Sequence, residues 1–345
     1  MTSSRRGRPP KRAVFEQFAA AIGELRSYGG LPRFEQAQDV WQDLWHAEVH
    51  HSTAIEGNTL VLQQVEALLT RGRAVGAREL KDYMEVLGYA QASRWVFEQA
   101  GPSRTFQHED LLRVTELRQL HMMAMGPVWE IAPHPAADVG ETPGGFRQHE
   151  IAAFPGGMKP PTFPLVPSFL DEWITAVNRL GSDVRGGTLP LVDAPVRLAK
   201  LHVGFEQVHP FLDGNGRTGR LVLNLILVRL GWPPVVILKT QRQRYLNALM
   251  SADSDKFDPL AGLLAQASIA SLHRLIPMLT QDSDLVPLQT LATEELSLAA
   301  LRQAVARGRL EAVMDAGGVW RSSRQAVDAY MASRQRRQRN SGVAR

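Results

Sequence analysis

The longest apolar run in the chain, LVLNLILVRLGWPPVVIL from Leu221 to Leu238, limits the folds open to it. A membrane helix needs about 20 uninterrupted apolar residues. Asn224 and Arg229 enter this run, and Gly231 and Pro233-Pro234 cut it, leaving roughly ten helical residues. The run therefore reads as a buried core helix. Around it apolar residues recur at helical spacing through most of the chain, and period-2 alternation is scarce. The spacing predicts helices near 13–27, 34–55, 60–70, 78–99, 108–120, 163–180, 192–208, 216–230, 239–251 and 258–277. The expected fold class is mostly α.

Two stretches depart from this pattern. The segment from about 126 to 162 is dense in glycine and proline, which predicts a long loop or a short hairpin. A loop of that length in a compact domain is usually functional. After about residue 284 the sequence predicts a short helix, a turn, a second helix ending at Gly308, a Gly-Gly hairpin and a last helix.

The 345 residues are enough for two ordinary domains, or one large domain with an appendage. An apolar fraction of 44% and a charged fraction of 21% are those of a folded soluble chain. Cysteine is absent, which excludes disulfides, thiolate zinc sites and cysteine nucleophiles, and fits a reducing, cytoplasmic setting. The net charge of +4 concentrates in RRGRPPKR near the start and RQRRQR near the end. Both read as solvated tails (1–12 and 336–345) too poor in apolar residues to order themselves, with nucleic-acid contact as the alternative. The N-terminal charges lead into Pro9-Pro10 and not into an apolar core, so no secretory signal is read there.

The chemistry concentrates at HPFLDGNGRTGR, residues 209–220. Gly214, Gly216 and Gly219 spell G-x-G-x-x-G, but a dinucleotide loop must follow a strand and be trailed by an acidic residue about twenty positions on. Helical spacing precedes this turn, and no Asp or Glu falls between Asp213 and Asp253. A plain helix start would explain the glycines, with Asp213 and Asn215 as turn or cap residues. It would not explain Arg217 and Arg220, since two cations at a helix N-terminus oppose the macrodipole unless an anion sits there. Asp213 offers a hard oxygen suited to Mg2+, and His209 can take a proton near neutral pH. Together these residues describe phosphoryl-type transfer from a nucleotide.

The stretch matches in full the signature H-P-F-x-[D/E]-G-N-G-R-x-x-R and resembles the Fic family of nucleotidyl transferases over roughly residues 35–280. The resemblance implies a Fic-type helical bundle that moves AMP from ATP to a Ser, Thr or Tyr hydroxyl of a target protein. It implies His209 as general base, Asp213 as the Mg2+ ligand, and Gly214, Asn215 and Gly216 as the anion nest, with Asn215 also positioning the α-phosphate. Arg217 would contact the phosphates and Arg220 the γ-phosphate, with Thr218 and Gly219 in the same phosphate-binding turn. Phe211 would be a core anchor. GGFRQHEIAAFPGGMKPPTFP, with Gly145-Phe146-Arg147 at its start, is similar to the family's flap, which lays a target segment beside the site by strand pairing. Tyr245 and Asp253 fall where the family lines the adenine pocket.

HSTAIEGNT, residues 51–59, ends an apolar-striped helix, with Glu56 in the last turn and Gly57 as C′ residue. A carboxylate there faces the negative end of the dipole. Ser52-x-x-x-Glu56-Gly57 resembles the inhibitory motif of Fic proteins, which implies that Glu56 pairs with Arg220 and keeps it from the γ-phosphate. Some relatives with this arrangement also remove AMP, using the glutamate to orient water.

Other features read as packing. His46 and His50 stand four apart in HAEVHH, but Glu48 is displaced from the zincin position and no third ligand is evident. Trp41 and Trp45 are most simply core. LRQAVARGRLEAVMDAGGVWRSSRQAVDAYM resembles a small winged helix-turn-helix of the excisionase-like kind. Arg302, Arg307, Arg309, Arg321 and Arg324 make it basic, so it reads either as a DNA contact or as a target- or self-association module. The expected organisation is an N-terminal helical region (13–110), a Fic core (111–280, flap 140–165) and this module (285–335). Partners are then ATP and a hydroxyl-bearing protein, with DNA and a homodimer left open and no membrane. A DNA-associated regulator with a nucleotide-sensing core, and transfer from another nucleotide, remain the alternatives.

Overall fold

The computed structural model describes residues 11–101, 110–154, 156–280, 284–315 and 317–342. Residues 1–10 and 343–345, the ends of the two basic tails, lie outside the described residues. The chain divides into two compact units, with the division after Ser271.

The first unit is helical. It contains α1 (Lys11–Ser27), α2 (Gln38–Ile55), α3 (Leu62–Arg71), α4 (Leu80–Glu98), α5 (Val114–Ile131), α6 (Val166–Arg185), α7 (Ala194–Val208), α8 (Asn215–Arg229) and α9 (Arg242–Ala252). The first part of α10 (Asp258–Leu279) also belongs to it. α8 is the apolar run, and α2, α4, α5 and α7 all pack against it. Every α8 residue except Gly216 is buried. That is why the run shows no polar face: the helix has no solvent side.

The two polar residues that interrupt the run are satisfied inside. Asn224 donates from Nδ2 to Val235 O (3.0 Å) and accepts the Val235 N–H (2.8 Å). Arg229 donates to both carboxylate oxygens of Glu116 (2.7 and 3.0 Å) and to Leu111 O (2.9 Å). Trp41 and Trp45 are core, as expected: Trp45 Nε1–H reaches Ala90 O at 3.0 Å, and Trp41 lies against Phe97. His46 and His50 are buried, and burial lowers both, so they pack as neutral rings.

The described part of the Gly/Pro-rich segment is a loop without a strand, from Ala132 to Thr162. It starts later than the sequence suggests, because α5 runs through Pro127 to Ile131. The φ of proline suits a helix, and the turn closes beyond it through Ala132 N–H to Val128 O (2.9 Å).

The second unit holds a three-stranded antiparallel sheet, β1 (Val286–Pro287), β2 (Val313–Met314) and β3 (Trp320–Ser322), in the order β1-β3-β2. α11 (Leu298–Ala306) and α12 (Arg324–Gly342) complete it. The expected short helix before α11 does not form; after β1 the chain takes successive turns, fixed by Leu288 N–H to Trp320 O and Thr290 N–H to Pro287 O. Asp315 pins the hairpin by accepting the Gly317 and Val319 N–H groups (2.9 Å each) and Arg321 Nε (2.9 Å). α12 continues into residues 336–342, which composition assigns to a solvated tail. Arginine and glutamine are good helix formers, so charge alone does not stop the helix. Of the arginines read as a DNA contact, Arg302, Arg307 and Arg309 are exposed. Arg321 and Arg324 instead hold Asp315 and the Pro277 carbonyl.

Glu116→Ala leaves the Arg229 charge buried without its carboxylate, and the loss should be about 3 kcal/mol, read as a lower urea midpoint at unchanged m-value.

Candidate active site

The site forms where α7 hands over to α8. His209 caps α7 in the left-handed conformation, φ 47°, ψ 61°. Asn215 closes the loop that follows: its Oδ1 accepts the Phe211 N–H (2.9 Å), and its Nδ2 donates to Phe211 O (2.8 Å). Its amide thus holds the Phe211 peptide in place. Phe211 is fully buried and stacks on His121 at 3.7 Å. His121 accepts the Gly144 N–H on Nδ1 (2.7 Å), so its Nε2–H donates to Asp213 O (2.9 Å). Burial pushes its imidazole down to about 4, which keeps this tautomer neutral. His121 holds the loop, yet it stands alone in α5 and gives no motif by which sequence could have found it.

His209 Nδ1 lies 3.2 Å from Glu206 O, an acceptor only, so Nδ1 carries the hydrogen and Nε2 keeps a free lone pair. Burial pushes the imidazole down to about 4. Phe154 of the loop lies over this ring at 4.9 Å.

Asp213 is exposed at the mouth. Its Oδ1 accepts the Gly214 N–H (2.6 Å) and lies 3.3 Å from Arg217 Nη2. Gly214 takes φ +77° to begin α8. Arg217 forks between Asp213 and Glu85 Oε1 (3.3 Å), and Glu85 Oε2 accepts from Asn58 Nδ2 (3.0 Å). Glu85 was missed by sequence reasoning, because it lies inside α4 far from either motif.

Arg220 is 2% exposed. Its guanidinium donates to Ser52 Oγ (2.7 Å), Ser52 O (3.1 Å) and Glu56 Oε1 (2.7 Å). Glu48, Ser52 and Glu56 recur at helical spacing on the face of α2 turned to Arg220. Glu48 accepts from Tyr89 OH (2.7 Å), and burial raises its carboxyl to about 7. Burial raises the Glu56 carboxyl, but the Arg220 guanidinium outweighs it and leaves it below the usual range. Glu56 stays ionised at neutral pH, and its pairing is lost only as pH falls through that lowered value.

Gly57 ends α2 with φ +106°, and Arg242 Nε donates to Ile55 O (2.7 Å), meeting an orphan carbonyl of that end. The Glu56 carboxylate lies so close to Gly216 that a Cβ there would stand 2.7 Å from Oε1. Thr218 and Gly219 are buried, and the bare Gly219 lets Glu206 lie against α8. Burial raises Glu206 to about 7.

The two adenine-pocket residues fare differently. Tyr245 is buried, with its hydroxyl 2.7 Å from His202 Nε2, so it lines no open surface. Asp253 accepts from Gln207 Nε2 (3.1 Å), two residues before His209. Asp138, Glu141 and His149 also converge in the loop. His149 sets one ring nitrogen against each carboxylate, Nδ1 to Glu141 (2.6 Å) and Nε2 to Asp138 (3.3 Å).

Residues 111–227 match the Fic/DOC family. A relative named "Protein adenylyltransferase Fic" from Culex quinquefasciatus is 28% identical over 271 residues, 77% of this chain and 47% of the relative. The chain thus spans about half the length of the curated relatives it matches. Among solved structures, Fic-1 (aa134–508) from C. elegans superposes with a TM-score of 0.58 at 26% identity, covering 77% of this chain and 72% of that one. A Fic domain containing signalling protein from Bacteroides thetaiotaomicron gives 0.61 at 22% identity, over 78% of this chain and 100% of that one, a likeness of fold.

Asn215→Ala removes both bonds to the Phe211 peptide; it should cost about 2 kcal/mol in stability and weaken nucleotide binding, read by thermal melts with and without ATP. Residues 111–227, with the signature within them, are similar to the Fic/DOC family.

Proposed function

We propose that the protein is a nucleotidyltransferase that moves AMP from ATP to the hydroxyl of a target protein, and that Glu56 holds it inactive. The carrying observation is the grip of Ser52 and Glu56 on Arg220 beside a neutral His209. Relatives named protein adenylyltransferase support the reaction class.

In the reaction, His209 Nε2 takes the proton of a Ser, Thr or Tyr hydroxyl. The oxygen bonds to the α-phosphorus, the bond from that phosphorus to the α–β bridging oxygen breaks, and pyrophosphate leaves. The N-terminal amides of α8 around Gly214, Asn215 and Gly216, with Arg217 and Arg220, bind the polyphosphate and stabilise the charge that develops. Thr218 and Gly219 let α8 pack closely enough to aim them. Asp213 fits a magnesium ion, which needs few protein ligands when phosphates and waters supply the rest. It presents an exposed carboxylate with one oxygen lacking a hydrogen-bond partner among the described residues. Such an ion would neutralise phosphate charge. Residues 150–153 have no regular secondary structure, and Phe154 next to them lies against the His209 ring, which supports docking of a target segment there.

Glu56 blocks this in two ways. It holds Arg220, and it sets a carboxylate against Gly216, at the end of the helix where a phosphate oxygen would bind. Two anions cannot share that place without a large repulsion.

Glu56→Gly should raise auto-modification with labelled ATP and magnesium by at least tenfold, and equal labelling of mutant and wild type would overturn the inhibition. His209→Ala in that background should lose transfer while keeping ATP affinity. A panel of ATP, GTP, CTP and UTP, with mass spectrometry of the modified residue, tests the nucleotide. The acidic limb of kcat/KM should fall near pH 4, well below an ordinary histidine, because the base is lost only as pH drops through its lowered value.

A further inference from the structure

We infer that Arg147 is a positioning residue for His209: its guanidinium fixes the peptide that carries the base and ties both stems of the flap loop to it. The inference rests on His209 being the base.

Arg147 is 2% exposed. Nε donates to the carbonyl of His209 itself (2.8 Å), and Nη1 donates to His149 O (2.8 Å). Nη2 donates to Pro161 O (2.5 Å) and, at longer range, to Val208 O (3.5 Å). Its own N–H donates to Pro210 O (2.9 Å). All of these acceptors are main-chain carbonyls, and no carboxylate pairs with the guanidinium among the described residues. A buried cation is tolerable only when its donors are met. Here the acceptors come from two segments that otherwise run apart: 208–210 at the end of α7, and 149 and 161 at the two sides of the loop. A planar fork can hold several carbonyls in fixed relation, which an ammonium cannot.

The held peptide needs holding. His209 has φ 47°, a conformation that a non-glycine residue adopts at a cost of about 1–3 kcal/mol and keeps only when its surroundings enforce it. Release of its carbonyl would let the ring swing and would free the loop at the same stroke. The groups facing the His209 ring are the Glu206 carbonyl, the Phe154 ring, and the charges of Arg147, Asp213 and Glu56. Burial is the main cause of its lowered pKa; the Arg147 cation adds to it, while the two acids oppose it. The fork therefore orients the base and helps keep it unprotonated.

The test uses the full chain carrying Glu56→Gly, with Arg147→Lys and Arg147→Gln added separately. Both should lower kcat of auto-modification by about 10- to 100-fold, the scale of a misplaced catalytic group. ATP affinity should stay within about twofold of the parent, since no nest residue touches Arg147. The His209 ring titration, followed by NMR, should move up in Arg147→Gln and less in Arg147→Lys, which keeps the charge. Unchanged kcat and an unchanged His209 midpoint in both, with only a lower melting temperature, would overturn the inference. So would a fall in ATP affinity parallel to kcat. If Arg147→Gln does not fold, kcat and the midpoint in Arg147→Lys decide. His209→Ala, measured alongside, separates the two ideas: activity retained there sinks the base assignment, whereas the NMR midpoint still reports on Arg147.

Discussion

Arg220 is a permanently charged group on a helix with no solvent side, and the site is arranged around meeting its hydrogen bonds. Burying a guanidinium without acceptors costs several kcal/mol. Its acceptors come from α2, through Ser52 Oγ, Ser52 O and Glu56. The end of α2 is held in turn by Arg242 on Ile55 O, and the turn after it by Asn58 on Asp82 O and Glu85. Glu85 then reaches the second arginine of the turn, Arg217. The end of α2 thus bears on both arginines of the turn, one directly and one through α4.

Much of this was legible in sequence because its causes are local. The α8 run, uninterrupted by a polar face, announced a helix buried on every side, and Asn224 and Arg229 could be tolerated there only as satisfied core groups. Glycine and proline punctuated the helices at nearly the places the structure ends them. Pro127 misled because its φ suits a helix even where its missing N–H does not. The helix before α11 fails to form where Val286 and Pro287 pair with β3 and Leu288 N–H is drawn to Trp320 O, a tertiary demand that propensity cannot report. The spacing in HPFLDGNGRTGR gave the site, but not the partners that hold it. His121 meets Gly144 and Asp213, 23 and 92 residues away, Glu85 meets Arg217, 132 away, and Arg147 meets the His209 carbonyl, 62 away, and none of these contacts leaves a periodic trace. Tyr245, which the family pattern assigns to the adenine pocket, is buried with its hydroxyl on His202, a contact that its place in the sequence does not announce.

The position of Glu56 resolves a local conflict. At the end of α2 a carboxylate faces the negative pole of its own helix, a penalty of about 0.3–1 kcal/mol. The same carboxylate lies at the beginning of α8, against Gly216, where the helix pole is positive and free N–H groups converge. One group is thus misplaced for one helix and well placed for the other, and the ion pair with Arg220 tips the sum toward closure. The contact is strong enough to persist at neutral pH, because the lowered pKa keeps Glu56 ionised there.

Under the proposed function a nucleotide would compete for that same pole with several phosphate charges against one carboxylate, and with a flexible chain against a residue tethered by α2. Tethering favours Glu56 through its high effective concentration; charge number favours the polyphosphate. The balance lies in how firmly the end of α2 is held, and that in turn rests on the Arg242 bond to Ile55 O and the Asn58 bonds to α4. Release of the proposed inhibition would need no movement of His209 or of α8. It would need only that the last turn of α2 loosen, so that the Glu56 carboxylate withdraws from Gly216 and Arg220.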